Sequence, residues 1–584
     1  MQDNRPCVLQ GGRGTGKTTV LRGLSYQGLY ALHKKSIVDF DQEKYIGIYF
    51  RADTNHVRTF IGGGLNDEIW KNIFAHYFNL IISWEILQFI DWHRKESLSD
   101  DILSPYNCKL IGKALLIENN CDNFDLLIES VESAMYDFQS TINDIAKDSK
   151  RHKSTLLGYP ISIITERAIE LSQFKDKMFS ILIDEYENLE NYQQQSLNSF
   201  LKHSTDFYTV KIGVGELGWR VKYTFNNEEL LNDPADYVLI NIEKEFAEST
   251  HFNEFAKNVC QQRIKDLIPD SEEYSIDSVL PSLKMEAEAL LLDIKHNSLL
   301  NKLNDIPQAY RDKIEHLSDL YKFFIIYWAK THDTNIINTI QDYANNTRSW
   351  DTRYDNYKYD MLFKIRKGRG MGGIQKYYAG WDTFIKLANG NIRYLMELVY
   401  RSYEKHLMDD KNILAPIDYR LQTLATQEVG KKNLQELEGL WKNGAQLTKL
   451  LLGFGRIFNV LVTSDSKVAP EINQFVIKGT IPEQTNEILS AAVMNLAFIR
   501  IQGNKLDDST STRDYMYSIH PIFAPYFVFG YRKKRKMEIS EYEFTNLINN
   551  PKEAIKEILS KKNIQINEIN EIPEQLSLFE FYYD

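Results

Sequence analysis

Cys7-Val8-Leu9-Gln10-Gly11-Gly12-Arg13-Gly14-Thr15-Gly16-Lys17-Thr18-Thr19-Val20-Leu21 decides how this chain is read. A short apolar run, suited to a strand, leads into G-x-x-x-x-G-K-T, and a helical pattern continues through Leu24. Glycines let the backbone curl so that successive N–H groups face phosphate oxygens, and the following helix adds its positive N-terminal end. Gly11, Gly12, Arg13, Gly14, Thr15, Gly16, Lys17, Thr18 and Thr19 are the expected phosphate cradle. Lys17 would reach the β- and γ-phosphates, and the Thr18 hydroxyl would complete a Mg²⁺ shell. The plain alternative is a glycine-rich strand-to-helix turn with an exposed lysine.

Such a loop needs an acidic partner, expected on a neighbouring strand. Phe179-Ser180-Ile181-Leu182-Ile183-Asp184-Glu185 supplies one: an apolar run suited to a buried parallel strand, ending in two carboxylates. Asp184 would hold Mg²⁺ through water, and Glu185 would act as general base toward a water beside the γ-phosphate. Taken alone, the pair is also an ordinary solvated strand end. A simple phosphate-binding protein has no need of Glu185, so the combination points to hydrolysis of ATP with Mg²⁺ as cofactor.

The rest of the chain bounds the class. Its 584 residues, at roughly 150 per domain, imply about four domains or three large ones. Hydrophobic residues make up 43% and charged residues 26%, which excludes disorder as the main state. The four cysteines, Cys7, Cys108, Cys121 and Cys260, form no C-x-x-C pair, which fits a reducing compartment and argues against a cysteine zinc module. The most apolar window, Tyr77 to Trp92, is broken by Asn79, Ser83, Glu85, Gln88 and Asp91, and the first ten residues lack a basic-then-apolar leader. The expected location is therefore cytoplasmic, with no membrane partner. A net charge of −11 argues against non-specific coating of nucleic acid and leaves room for a local basic site.

Gly12-Arg13-Gly14-Thr15-Gly16-Lys17-Thr18-Thr19 together with Ile181-Leu182-Ile183-Asp184-Glu185-Tyr186-Glu187-Asn188-Leu189 resembles the AAA+ ATPases of origin-recognition type. The likeness is closer to their bacterial relatives, which shade into winged-helix signal-transducing NTPases. A third segment, Gly380 to Leu395, is similar to the lid motif in which Gly390-Asn391-Ile392-Arg393 carries the second sensor. The resemblance implies that Arg393 couples the γ-phosphate to the lid; its plain reading is a helix-start arginine on a solvated face. The strand expected over Tyr208 to Glu216 has no obvious Asn or Thr at its tip to serve as a first sensor. For an arginine finger only Arg51 and Arg220, near expected strand ends, are candidates.

The expected fold is an α/β P-loop NTPase core, a parallel sheet sandwiched by helices, with a helical lid and insertion and a C-terminal winged-helix domain. Residues 1–225 would form the core, 226–345 a helical insertion and the start of the lid, and 346–410 the lid with its sensor. Residues 411–535 would form the winged-helix domain and 536–584 a polar tail. Its outline is a helix over Leu489 to Leu496, a hairpin of Phe498 to Ile501 and Tyr515 to Ile519, then His520-Pro521. Arg532-Lys533-Lys534-Arg535-Lys536 follows, as a candidate grip on duplex DNA or as a solvated charged face. In the tail Gln575-Leu576-Ser577-Leu578-Phe579 looks like the peptide with which bacterial replication proteins dock on the sliding clamp, Gln575, Leu576, Leu578 and Phe579 making the contact. The alternative is an amphipathic tail packing on its own protein.

The functional expectation is a Mg-ATP-dependent switch. It would act as a homo-oligomer, with a separate effector protein, or both, and the resemblance points toward antiphage defence modules and mobile elements. The alternative is a replication or transposition factor that binds duplex DNA and the clamp.

Overall fold

The computed structural model describes residues 4–62, 64–118, 121–142, 153–226, 228–248, 251–265, 267–268, 274–366, 373–409, 411–440, 443–464, 471–502, 515–562 and 564. The chain divides into two compact units, Met1–Glu245 and Phe246–Asp584.

In the first unit the described strands are β1 (Cys7–Gln10), β2 (Tyr45–Arg51), β3 (Met178–Asp184), β4 (Tyr208–Val214) and β5 (Val238–Asn241). They form one sheet in the order β2-β3-β4-β1-β5, with every pairing parallel. Parallel strands bury both faces and read as continuous apolar runs, which is why β2, β3 and β4 stand out in the sequence.

Two sequence expectations need correction. The Asp184–Glu185 strand does not neighbour the P-loop strand, because β4, buried at all seven positions, lies between them. The first unit also continues past residue 225, because Val238-Leu239-Ile240-Asn241 pairs in register with Cys7 to Gln10. Four residues, of which one is exposed and three half-buried, give no periodicity that separates them from their charged surroundings.

Two helices fix the sheet's surroundings. α1 (Lys17–Leu24) starts directly from the P-loop, and its end lies so close to β2 that a Cβ on Gly47 would stand 1.9 Å from the Leu24 carbonyl oxygen. α2 (Asp67–Ser97) begins at Asn66, whose side chain accepts from the Ile69 N–H, with Asp67 and Glu68 complementing the helix dipole in the first turn. It is buried around most of its circumference, Phe74, Phe78, Leu87 and Phe89 at 0% exposure, as a core helix must be when it is apolar on every side.

The second unit contains α3 (Trp381–Ala388), α4 (Ile392–Leu407), α5 (Tyr419–Gly439) and α6 (Gly444–Thr463). By length and composition α2 and α6 could each cross a membrane, yet 78% of each apolar window is buried inside the protein. Then come β6 (Ile472–Lys478), α7 (Glu483–Met494), β7 (Phe498–Gln502), β8 (Tyr515–Ile519), β9 (Arg535–Ser540), α8 (Glu541–Asn549) and α9 (Pro551–Ser560). The four strands form a sheet in the order β7-β8-β6-β9.

The expected hairpin is present, while the helix expected over Leu489 to Leu496 starts earlier, at Glu483, and ends at Met494. β7 and β8 pair antiparallel from Phe498↔Ile519 to Gln502↔Tyr515, and the turn between them lies outside the described residues. The expected tail boundary at 536 falls inside β9. That strand runs parallel to β6 and alternates buried Met537 and Ile539 with exposed neighbours. A capping box at Ser540 and Glu543 then starts α8, and α9 buries Ala554, Ile555, Ile558 and Leu559. The basic run hides this strand, because charge masks a period of two that has only two apolar members.

Candidate functional site

β1 ends at Gln10, and the Gly11 N–H donates to the Val214 carbonyl, so the loop leaves the sheet at the carboxyl end of the strands. Gly14 (φ 86°) and Gly16 (φ 99°) occupy the left-handed region, which side chains resist and glycine accepts. The Thr15 hydroxyl donates to the Gly12 carbonyl at 2.9 Å and closes the curl. Lys17 is buried, and its Nζ donates to the carbonyl oxygens of Gly11 (2.7 Å) and Gly12 (3.0 Å). No side chain caps α1, whose N-cap is Gly16, and a Cβ there would meet nothing within 4 Å. An uncapped helix start behind a curled, glycine-lined loop is a cradle for a phosphate chain.

At the end of β3 the Asp184 carboxylate is fully buried. Its Oδ1 accepts from the Glu185 N–H and its Oδ2 from the Tyr49 hydroxyl, both at 2.9 Å. Burial, with the negative Asp184 beside it, raises the Tyr49 phenol above its ordinary value, so the phenol stays protonated and keeps donating. On β4, Gly213 leaves the space: a Cβ there would stand 3.0 Å from Asp184 Oδ1.

Glu185 adopts φ 57°, a left-handed backbone that costs a non-glycine residue on the order of 1 kcal/mol. Its Oε1 accepts from Arg51 Nη2 at 2.9 Å and its Oε2 from Asn188 Nδ2 at 3.1 Å. The register that sets Arg51 beside Asp184 brings this guanidinium within reach.

A match covers residues 1–539 with the family model described as ORC-CDC6-like. The chain belongs to the ORC-CDC6-like family. No curated protein matches it, and no solved structure does. Membership makes the first unit an AAA+-type ATPase core, with the nucleotide and divalent-metal use that such a core implies.

The residues fit those groups: the fully buried Asp184 carboxylate is a hard oxygen donor, and the positive-φ glycines ahead of Lys17 leave room for phosphate oxygens. Among the described residues no set of three His, Cys, Asp or Glu side chains could hold a metal.

Both arginine-finger candidates are engaged within their own unit. Arg51 holds Glu185. Arg220 is a clamp: its Nη1 donates to the Glu187 carbonyl (2.9 Å), its Nη2 to the Leu189 carbonyl and its Nε to Asn191 Oδ1 (3.0 Å). Where β4 ends, Glu187 Oε2 accepts from the Gly215 N–H at 3.0 Å.

Sequence reasoning missed Glu243, just beyond β5. Its Oε1 accepts from the Gly12 N–H at 3.0 Å, and burial, reinforced by Glu216, pushes its carboxyl up to about 6. A separation of 231 residues and no motif leave nothing in the sequence to point to it.

In the second unit of this ORC-CDC6-like chain, Asn391 caps α4 by accepting from the Arg393 and Tyr394 N–H groups. Arg393 Nε donates to Glu397 at 3.3 Å and Nη2 to Glu436 on α5 at 3.0 Å. In the basic run the Arg532 guanidinium lies 3.7 Å from the centre of the Tyr359 ring, with Lys534 over the same ring at 5.5 Å. Lys533, Arg535 and Lys536 are exposed. Gln575, Leu576, Leu578 and Phe579 lie outside the described residues.

Proposed function

We propose that this chain is a Mg²⁺-dependent ATPase working as a conformational switch. The observation that carries the reading is the pairing of the Lys17 cradle with the Asp184–Glu185 end of β3, both at the carboxyl edge of one parallel sheet, where α/β folds bind their ligands. Loop amides and Lys17 bind the polyphosphate of the substrate ATP. Glu185, aimed by Arg51 and Asn188, accepts a proton from the water that attacks the γ-phosphorus; ADP and inorganic phosphate leave. Thr18 and Asp184 would hold Mg²⁺, which would supply charge neutralisation at the phosphates. Arg393 serves as the second sensor, released from Glu397 and Glu436 when it acts.

The test is Mg²⁺-dependent phosphate release. Arg51→Ala should lower kcat about three- to tenfold with KM unchanged, since it frees Glu185 without touching the cradle. Stability should move by less than about 1 kcal/mol, because this ion pair is exposed. Wild-type kcat in that variant would remove Arg51 from the mechanism.

Glu243 gives a pH signature. Above about pH 6 its carboxylate faces the same loop as the polyphosphate, and below that it is neutral. Glu243→Gln should tighten ATP binding roughly threefold at pH 8, with the difference vanishing near pH 5. An identical affinity ratio at both pH values contradicts this.

For the biological setting we infer a cytoplasmic switch in antiphage defence, acting as an assembly of copies or on a separate effector protein. This rests on the bacterial resemblance of the P-loop, the Asp-Glu strand and the Gly390–Arg393 lid motif. A second reading, a replication or transposition factor, draws on α7, the β7–β8 hairpin and the exposed Lys533, Arg535 and Lys536. In it these elements act as a winged helix on duplex DNA, and the Gln575–Phe579 peptide docks on the sliding clamp. Steep loss of DNA affinity with rising salt favours the second reading, and no DNA binding at low salt favours the first.

A further inference from the structure

In the second unit a groove of about 420 Å³ opens between the end of α3 and the sheet of β6 and β8. Its floor is apolar, with Phe252, Ile385 and Phe529, and its positive charge comes from Lys386, Arg532 and Lys533. Among the described residues no carboxylate lines it. Lys386 and Lys533 are exposed, and among the described residues neither has an ion-pair partner; Arg532 rests on the faces of Tyr359 and Tyr531. Lys386 and Arg532 also border a second pocket that carries Asp382 and Glu288, so the unopposed positive charge belongs to the groove's own lining, on a chain whose net charge is −11. An apolar floor under such cations calls for a ligand that is acidic and hydrophobic together.

The chain contains such a segment. Residues 565–584 carry Glu568, Glu571, Glu574, Glu580 and Asp584 with no lysine or arginine, interleaved with Leu576, Leu578, Phe579 and Phe581. The last described residue before them, Ile564, belongs to the same unit. Twenty extended residues reach about 65 Å, more than the roughly 50 Å diameter of a unit this size.

We propose that segment 565–584 docks in this groove of its own chain, its carboxylates on Lys386, Arg532 and Lys533 and its Leu578 and Phe579 on the apolar floor. Tethering makes a weak contact sufficient. At an effective concentration of about 1 mM, an intrinsic Kd of about 100 μM keeps the groove roughly nine-tenths filled. While docked, Leu578 and Phe579 are withheld from any other partner, so the groove sets when the tail peptide can be offered. The proposal is independent of ATP turnover, which is read separately.

The test uses the full-length chain with a photoreactive benzophenone amino acid in place of Phe579. Irradiation should give cross-links to residues 385–390 or 529–533, in a product with the mass of one chain. Lys386→Glu with Lys533→Glu should cut that yield at least fivefold, and the melting temperature reports whether the fold is kept. Glu574→Gln with Glu580→Gln, which alters no described residue, should also lower it. The proposal is overturned by cross-links to another surface, by cross-links found only in a two-chain product, or by a yield indifferent to both charge changes. It is equally overturned if the groove binds labelled duplex DNA while the tail cross-links elsewhere.

Discussion

Lys17→Ala should weaken ATP binding by at least about 100-fold, the equivalent of about 3 kcal/mol for charge-assisted contacts in a partly buried site. The fold should survive. The ammonium donates to the carbonyl oxygens of Gly11 and Gly12, and its charge also favours the ionised form of Glu243, which Gly12 holds through its N–H. Gly11 and Gly12 are buried, so the lost donor should cost on the order of 1–3 kcal/mol, a lowered melting temperature rather than an unfolded chain. Calorimetric titration with Mg-ATP measures the loss, and a single cooperative melting transition separates it from misfolding. Wild-type affinity in this variant would mean that the curled loop is only a turn.

Glu185→Gln should leave ATP affinity within about threefold and lower phosphate release at least 100-fold, the range expected for removing a general base. The substitution suits the local geometry. Glutamine has the same reach, its oxygen can still accept from Arg51 or Asn188, and the left-handed backbone at 185 is unaltered. What disappears is the capacity to take a proton. A variant that hydrolyses at the wild-type rate would reassign the base and leave the strained residue without a catalytic reason.

How far these expectations could be read from sequence follows from physical locality. Strand β1, the cradle and α1 are contiguous, and each obeys a local rule: apolar run, positive-φ glycines, uncapped helix start. Strand β3 and Asp184–Glu185 are legible because a buried parallel strand is an unbroken apolar run with its carboxylates at the end. The order of strands is not local. Nothing in Tyr208 to Val214 says that it inserts between β1 and β3, and nothing in Val238 to Asn241 announces an edge strand.

Partners of side chains were the least legible part. Arg51 and Arg220 look alike in sequence, as arginines near strand ends. One proves to hold the Glu185 carboxylate, and the other clamps the carbonyls of Glu187 and Leu189. Tyr49 and Glu243 touch the site from 135 and 231 residues away, and only the folded sheet brings them there. The basic run shows the same limit from the other side: its charges were visible, while the place of its last two residues, Arg535 and Lys536, at the start of β9 was not.

The claim at the centre of this account is that ATP at the Lys17 cradle switches the state of the protein. The most direct measurement is the solution mass of Glu185→Gln with Mg²⁺-ATP and with Mg²⁺-ADP, at the same protein concentration. Blocked hydrolysis holds the ATP state, so a mass that rises with ATP and not with ADP is the expected result. A mass identical in both nucleotides, with binding of each confirmed by titration, contradicts nucleotide-gated assembly.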